Sequence, residues 1–281
     1  PDASTCLLRL CPAPAARAGQ SRMMLIVLGC GTSTGVPVIG CRCGVCSSPN
    51  PKNKRTRASI LVQTRGKNIL IDTSTDLRAQ ALSNCIERID YVLYTHPHAD
   101  HVHGIDDLRS FNMAQAGASI PCYGNSYTME RLESMFPYIF REKGAENWRP
   151  NLSTNAVDSV FSLSDIEVMP IEILHGAASI LGYRIDGAAY ITDISAIPPE
   201  SMEKLKGLNL LIIGALRHQP HPTHLSIPQA IEISERLRPE RTLLTHLGHS
   251  IDYEKDGAML PAGVELAYDG MVIELEGGLA S

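Results

Sequence analysis

Within six residues, His96-Pro97-His98-Ala99-Asp100-His101, this chain carries four side chains able to bind a metal. The stretch follows an apolar run, residues 89–95, and falls where that strand is expected to end. Two imidazoles separated by one residue reach one cation, while Asp100 and His101 point toward a second. Neutral imidazole and carboxylate suit Zn, Mn or Fe rather than Ca. One short loop cannot fill the coordination of two cations, so the fold must bring further ligands from distant segments. Three candidates each close an apolar run: His175 after Ile171-Glu172-Ile173-Leu174, Asp193 after Ala189-Tyr190-Ile191-Thr192, and His246 after Thr242-Leu243-Leu244-Thr245. Loops at strand ends are where scaffolds carry chemistry.

A second group lies nearer the start. Cys41-Arg42-Cys43-Gly44-Val45-Cys46 places three thiols within six residues, a spacing that lets three thiolates converge on one tetrahedral ion. Three clustered sulfurs suit a disulfide poorly, and the other cysteines are scattered singly. His249, three residues after His246, can supply the fourth ligand. The expectation is a closed structural Zn site of Cys41, Cys43, Cys46 and His249.

With these residues the chain resembles the metallo-β-lactamase-fold hydrolases over residues 24–276. The resemblance implies an α/β fold, the αββα sandwich of two mixed β-sheets flanked by helices. It also implies that His96, His98 and His175 hold one divalent ion, that Asp100, His101 and His246 hold another, and that Asp193 bridges them. The two ions would be Zn or Mn, with Fe also open, and a hydroxide between them would be the nucleophile; Asp100 counts among the catalytic residues.

Gly29-Cys30-Gly31-Thr32-Ser33-Thr34-Gly35-Val36-Pro37 ahead of the thiols, Thr245 to His249 as T-H-x-x-H, and Tyr268-Asp269-Gly270-Met271 look like the PhnP-type branch. Its members are phosphodiesterases that open the five-membered cyclic phosphate of a phosphorylated ribose. That likeness implies that His224, in Pro222-Thr223-His224, faces the leaving oxygen and donates a proton, a role suited to a near-neutral pKa. His218 and His221 remain alternatives. Asp72, closing Ile69-Leu70-Ile71, resembles the family's aspartate beside the metal ligands; a turn-forming Asp before Thr73-Ser74 is the competing reading. Gly214 is a departure, because related sequences usually carry an acidic residue there to orient a ligand histidine. Losing such a partner commonly weakens metal affinity or activity by roughly 10–100-fold.

The expected activity is therefore that of a metal-dependent phosphoric diester hydrolase acting on a small phosphodiester. The alternatives are another hydrolase on the same fold, such as a tRNA-processing nuclease or a thioesterase, or a cofactor-biosynthesis protein like the pyrroloquinoline-quinone B protein. With a net charge of −5 and no basic insertion, a nucleic-acid partner is not expected. No apolar run reaches the ~18 residues of a membrane-spanning helix. Cysteines clustered at metal spacing favour a reducing cytoplasm, and a homodimer is left open.

Residues 23–281 read as a single domain, since a chain of 281 residues, 44% of them hydrophobic, can bury one large core. Residues 1–22, rich in Ala and Arg and without an initiator Met, read as a flexible extension. Residues 25–27, 59–64, 68–72, 165–169, 182–185 and 208–213 read as strands. Residues 128–140 read as a helix interrupted at Pro137, and the polar segment 144–155, with Trp148, as a rim loop. Ser226 and Gln229 form a capping-box signature for a helix that runs through Arg238 and stops at Pro239. Ile227, Ala230, Ile231 and Leu237 would bury one of its faces. His103, Asp106, Asp107 and Arg109 are expected to cap a helix and form ordinary ion pairs.

Overall fold

The structure, a computed structural model, describes residues 22–140 and 149–276. Residues 1–21 of the expected flexible extension, and Trp148, lie outside the described residues. The first sheet contains β1 (Met23–Gly29), β2 (Ser59–Thr64), β3 (Lys67–Ile71), β4 (Tyr91–Leu93), β5 (Ile120–Gly124) and β6 (Leu152–Ala156). The second contains β7 (Phe161–Leu163), β8 (Ile166–His175), β9 (Ala178–Ile185), β10 (Ala188–Ile191), β11 (Leu210–Gly214), β12 (Arg241–Thr245) and β13 (Val264–Leu266). The last strand, β14 (Met271–Leu275), returns to pair with β1. Strand order is β14-β1-β2-β3-β4-β5-β6 in one sheet and β13-β12-β11-β10-β9-β8-β7 in the other.

Both sheets follow one plan. From β14 in the first and from β7 in the second, three antiparallel pairings are followed by three parallel ones. The helices α1 (Leu77–Ser83), α2 (Ala99–Val102), α3 (Leu108–Ala114), α4 (Ser126–Met135) and α5 (Pro137–Phe140) belong to the first half of the chain. In the second half lie α6 (Pro199–Lys204), α7 (Ile227–Leu237) and α8 (Tyr253–Gly257).

Side chains alternate across each strand, so a sheet covered on both faces needs apolar residues at every position. In β1, Leu25 and Val27 join Ile60, Val62, Ile69 and Ile71 against Ile171, Ile173 and Tyr183 of the other sheet. Ile26 and Leu28 belong to a separate core with Leu61, Leu70 and the helix residues Leu77, Leu108, Met129 and Leu132. The unbroken run Leu210-Leu211-Ile212-Ile213 in β11 is fully buried for the same reason. This is the expected sandwich of two mixed sheets with helices outside.

Local signals are obeyed where they are strong. Pro137 divides the expected helix into α4 and α5. The backbone N–H and hydroxyl of Ser226 both donate to Gln229 Oε1, at 2.9 and 2.8 Å, and Arg238 ends α7 in the left-handed region. The buried face of α7 includes Ile233, while Ile231 is only partly covered. Two expectations change. Residues 152–155, placed in a rim loop, belong to β6, an edge strand that among the described residues is bonded only to β5, so its sequence needs no apolar alternation. Asp107 precedes α3 without a side-chain cap bond, whereas Asp106 accepts from the Tyr138 hydroxyl at 2.9 Å and lies 4.0 Å from Arg109.

Replacing Leu211, fully buried in the middle of the second sheet, with Ala is expected to cost about 2–5 kcal/mol of unfolding free energy, measured by urea titration. A loss below about 1 kcal/mol would contradict a close-packed β11.

Candidate metal centre

The polar residues of the site stand at or just past strand C-terminal ends: Asp72 after β3, His96 after β4, His175 at the end of β8, Asp193 after β10 and His246 after β12. Three of them leave their strands in the left-handed region, Asp72 at φ 64°, Asp193 at φ 51° and His246 at φ 56°. Non-glycine residues reach that region at a cost of order 1–3 kcal/mol, and such residues cluster at functional sites. Each turn swings a polar side chain back over the sheet edge. Asp100 and His101 come from the first turn of α2.

Two donor groups result. His96, His98, His175 and Asp193 form one, and Asp100, His101, Asp193 and His246 the other, with the donor atoms of each group within 4.8 Å of one another. Asp193 stands in both. Its Oδ1 lies 3.2 Å from His101 Nε2 and 3.1 Å from His246 Nε2, and its Oδ2 lies 3.8 Å from His96 Nε2. The second group is wholly buried; the first is open at His98 and His175. Asp100 Oδ2, His101 Nε2 and His246 Nε2 are buried yet without hydrogen-bond partners among the described residues. Buried polar atoms facing one another without bonds are what a cation site requires, so the donor set fits divalent ions.

Neighbours orient most of these imidazoles. His101 Nδ1 lies 2.7 Å from Asp72 Oδ2, and Asp72 also accepts from the Thr95 backbone N–H and hydroxyl, both at 2.8 Å. Asp72 thus turns the chain past β3 and at the same time holds His101 through its carboxylate. His96 Nδ1 is 3.0 Å from Thr95 Oγ1, and His175 Nδ1 is 2.9 Å from the Thr223 carbonyl. His246 differs, because its Nδ1 is buried with no partner among the described residues. Gly214 pairs in register with Thr245, next to His246. A Cβ at 214 would stand 3.2 Å from the Asp193 backbone nitrogen, so any side chain here emerges behind the shared carboxylate.

Charge follows burial and company. Burial holds His96 well below the usual histidine range and lowers His98 as well. Burial would also raise Asp193, but His246 and His101 keep its carboxyl well below the usual range. Asp100 is lowered against burial by His101. Neutral imidazole and ionised carboxylate are the states in which these groups bind metals. His101 is the exception: against burial, Asp193, Asp72 and Asp100 together hold it well above the usual range.

His224 is in the same place, its ring stacked on His246 at 4.9 Å and edge-on to His175 at 4.8 Å. Burial, with His246 beside it, lowers it to about 3, so its ring is neutral here rather than poised near neutrality as expected. His218 points elsewhere, 3.3 Å from Asp256, while His221 lies 5.2 Å from His224. His103 packs edge-on against Phe136, away from the site.

The expected thiol group also assembles. Cys41, Cys43 and Cys46 place their sulfurs 3.4, 3.6 and 3.7 Å from His249 Nδ1. A bond from the Cys46 backbone N–H lowers the Cys43 thiol to about 6, favouring thiolate, the metal-binding form. Buried Arg55 donates to the Gly248 carbonyl at 3.1 Å and to Asn53 at 3.1 Å, and so fixes the loop that presents His249.

A cleft of about 430 Å³ opens on the first donor group, lined by His96, His98 and His175 and by Tyr127 and Arg131 of α4. Tyr127, Arg131, Thr95 and Thr223 were not singled out by sequence. Thr95 had one usable signal, its place immediately before the histidine motif.

Residues 67–247 match the family described as Beta-lactamase superfamily domain. A solved diphosphatase from the PhnP family is 43% identical, with a TM-score of 0.87 over 93% of this chain and 100% of its own. Zinc-bound PqqB from Methylobacterium extorquens shares the fold, with a TM-score of 0.74 at 19% identity over 90% of this chain and 100% of that one. The octanoyltransferase of Porphyromonas gingivalis is 40% identical over 254 residues, 89% of this chain and 51% of that protein; this chain thus spans about half that relative's length. The fold and its site define a metallo-β-lactamase-fold hydrolase, a class whose fold implies divalent metal ions. Within that class, the chain belongs to the PhnP-type branch of the beta-lactamase superfamily. Among the described residues no helix is long and apolar enough to cross a membrane.

Gly214→Asp is expected to slow metal loss to a chelator by about tenfold or more, read by elemental analysis after timed exposure. Unchanged retention would show that His246 needs no such partner.

Proposed function

We propose that this chain is a phosphodiesterase that opens small cyclic phosphodiesters, such as a ribose cyclic phosphate. The reading rests on Asp193 standing in both donor groups while His224 stacks on His246 beside them. His96, His98, His175 and Asp193 would hold one cation; Asp100, His101, His246 and Asp193 would hold the other. When bound, the pair supplies an activated water and offsets charge on the phosphoryl oxygens.

The protein's own groups do the positioning. Asp72 and Thr95 fix His101 and His96, and the Thr223 carbonyl fixes His175. The open first group receives the substrate from the cleft. His224, neutral in this setting, donates a hydrogen bond from its ring N–H to the leaving alkoxide oxygen, as a neutral imidazole can. Cys41, Cys43, Cys46 and His249 would hold a structural Zn, which takes no part in the reaction. The substrate is a small molecule, and the reducing cytoplasm is the compartment that suits the free thiols of Cys41, Cys43 and Cys46.

Acyl transfer is the reading suggested by the Porphyromonas relative's name. That protein is about twice as long, and the residues lining the cleft here include no cysteine to carry an acyl group. A panel of ribose cyclic phosphate, cyclic nucleotides, bis-aryl phosphates and thioesters separates the two. Metal-dependent turnover of phosphodiesters is expected, and turnover of thioesters alone would overturn the proposal.

His224→Ala should lower kcat by about 10²–10³ on the alkyl-leaving cyclic phosphate and by much less on a nitrophenyl ester, whose leaving group is stable without that hydrogen bond. Equal losses on both would remove His224 from the leaving-group side. Cys43→Ser should lower bound Zn by one equivalent and reduce Tm, measured by elemental analysis and calorimetry. Full Zn content in that variant would sink the thiol site.

A further inference from the structure

The histidines of the two donor groups are not held alike. His96 and His101 are buried and take their partners, Thr95 and Asp72, from the packed interior. His175 is half-buried at the end of β8, and its Nδ1 lies 2.9 Å from the Thr223 carbonyl, on the loop between β11 and α7. A carbonyl only accepts, so Nδ1 carries the proton and Nε2 is left for an ion. Thr223 also packs on the turn that follows His175, since a Cβ on Gly176 would stand 2.9 Å from the Thr223 methyl group. The orientation of His175 is therefore as fixed as that loop.

The loop is closed on itself. The Leu216 N–H donates to the Leu225 carbonyl and the Ile227 N–H to the Arg217 carbonyl, both at 2.9 Å. The Arg217 guanidinium donates to the carbonyls of Gln219 and Pro220, at 3.1 and 2.7 Å. Inside this frame Pro220 and Pro222 have no N–H to give. A side chain holds the turn instead: His221 Nδ1 accepts from the Thr223 N–H at 3.3 Å and from the Thr223 hydroxyl at 3.2 Å. A backbone N–H only donates, so Nδ1 of His221 is unprotonated and the ring proton sits on Nε2. Contacts thus run from His221 through Thr223 to His175, and they end at the donor group that is open.

We infer that His221 is a positioning residue: by holding Thr223 it aims the Thr223 carbonyl at His175, and so sets how long the open donor group keeps its ion. His221 is itself in neither donor group. The inference rests on the two-ion reading of the site and not on which ester is cleaved. The wholly buried group, with His101 held by Asp72, lies outside its reach. One ion then depends on a surface loop and the other on the core.

The test loads wild-type protein, His221→Phe and His221→Asn with Zn and exposes them to a chelator for timed intervals, the retained metal being read by elemental analysis. Phe keeps a ring without the acceptor. Asn carries its Oδ1 where Nδ1 stands and accepts from a backbone N–H two residues on, as in an Asx turn. His221→Phe should lose one equivalent about tenfold faster than wild type, while the others leave at the wild-type rate. His221→Asn should restore the slow rate. Should His221→Phe fail to fold, His221→Ala set against His221→Asn carries the same comparison. An unchanged rate without the acceptor overturns the inference, as does a fast rate in His221→Asn or equal acceleration of every equivalent. A second readout needs no metal. The Nδ1–H proton resonance of His175, identified by its loss in His175→Gln, should exchange with water about tenfold faster in His221→Phe. If wild-type protein binds no ion at the His175 group, the two-ion reading fails, and the exchange rate alone then decides whether His221 positions His175.

Discussion

The Asp193 carboxylate has to be buried, ionised and turned back over its own strand end, and the site exists only where these three demands are met together. Burial by itself would protonate it. His246 and His101 keep it charged, which requires imidazoles from two other strand ends to be held around one carboxylate. Remove any of those strand ends and the remaining groups cost far more to bury than they return, because an unpaired charge in a low-dielectric interior is expensive.

Sheet register delivers that coincidence. Strands β10, β11 and β12 run parallel with Ile191 beside Ile213 and Ile213 beside Leu244, so all three end at one level. Asp193, Gly214 and His246 follow in a row, and the middle one contributes no side chain. The second donor group closes over completely, whereas His98 and His175 leave the first open to the cleft. One half of the centre is thus built to be held and the other to be reached.

Much of this was legible from sequence because it is local. Four candidate ligands sit within six residues, and His175, Asp193 and His246 each close an apolar run that reads as a strand. Continuous apolar stretches such as residues 210–213 announced a sheet covered on both faces. What stayed hidden has physical reasons. Thr223 serves through its backbone carbonyl, which leaves no mark on residue identity. Residues 152–155 lie in an edge strand of mixed exposure, so their composition reads as loop. Arg131 is one charged residue on a helix surface, and only the fold reveals that it lines the cleft. The depressed pKa of His224 depends on rings that pack around it from remote segments.

Each of the three donor groups draws from both halves of the chain. His96 and His98 meet His175 and Asp193; Asp100 and His101 meet Asp193 and His246; Cys41, Cys43 and Cys46 meet His249. Ions in these positions would rivet one sheet to the other. Their binding energy would then enter the stability of the sandwich itself, since the unfolded chain offers no such pockets. Starving the protein of metal would loosen its seam as well as silence its chemistry.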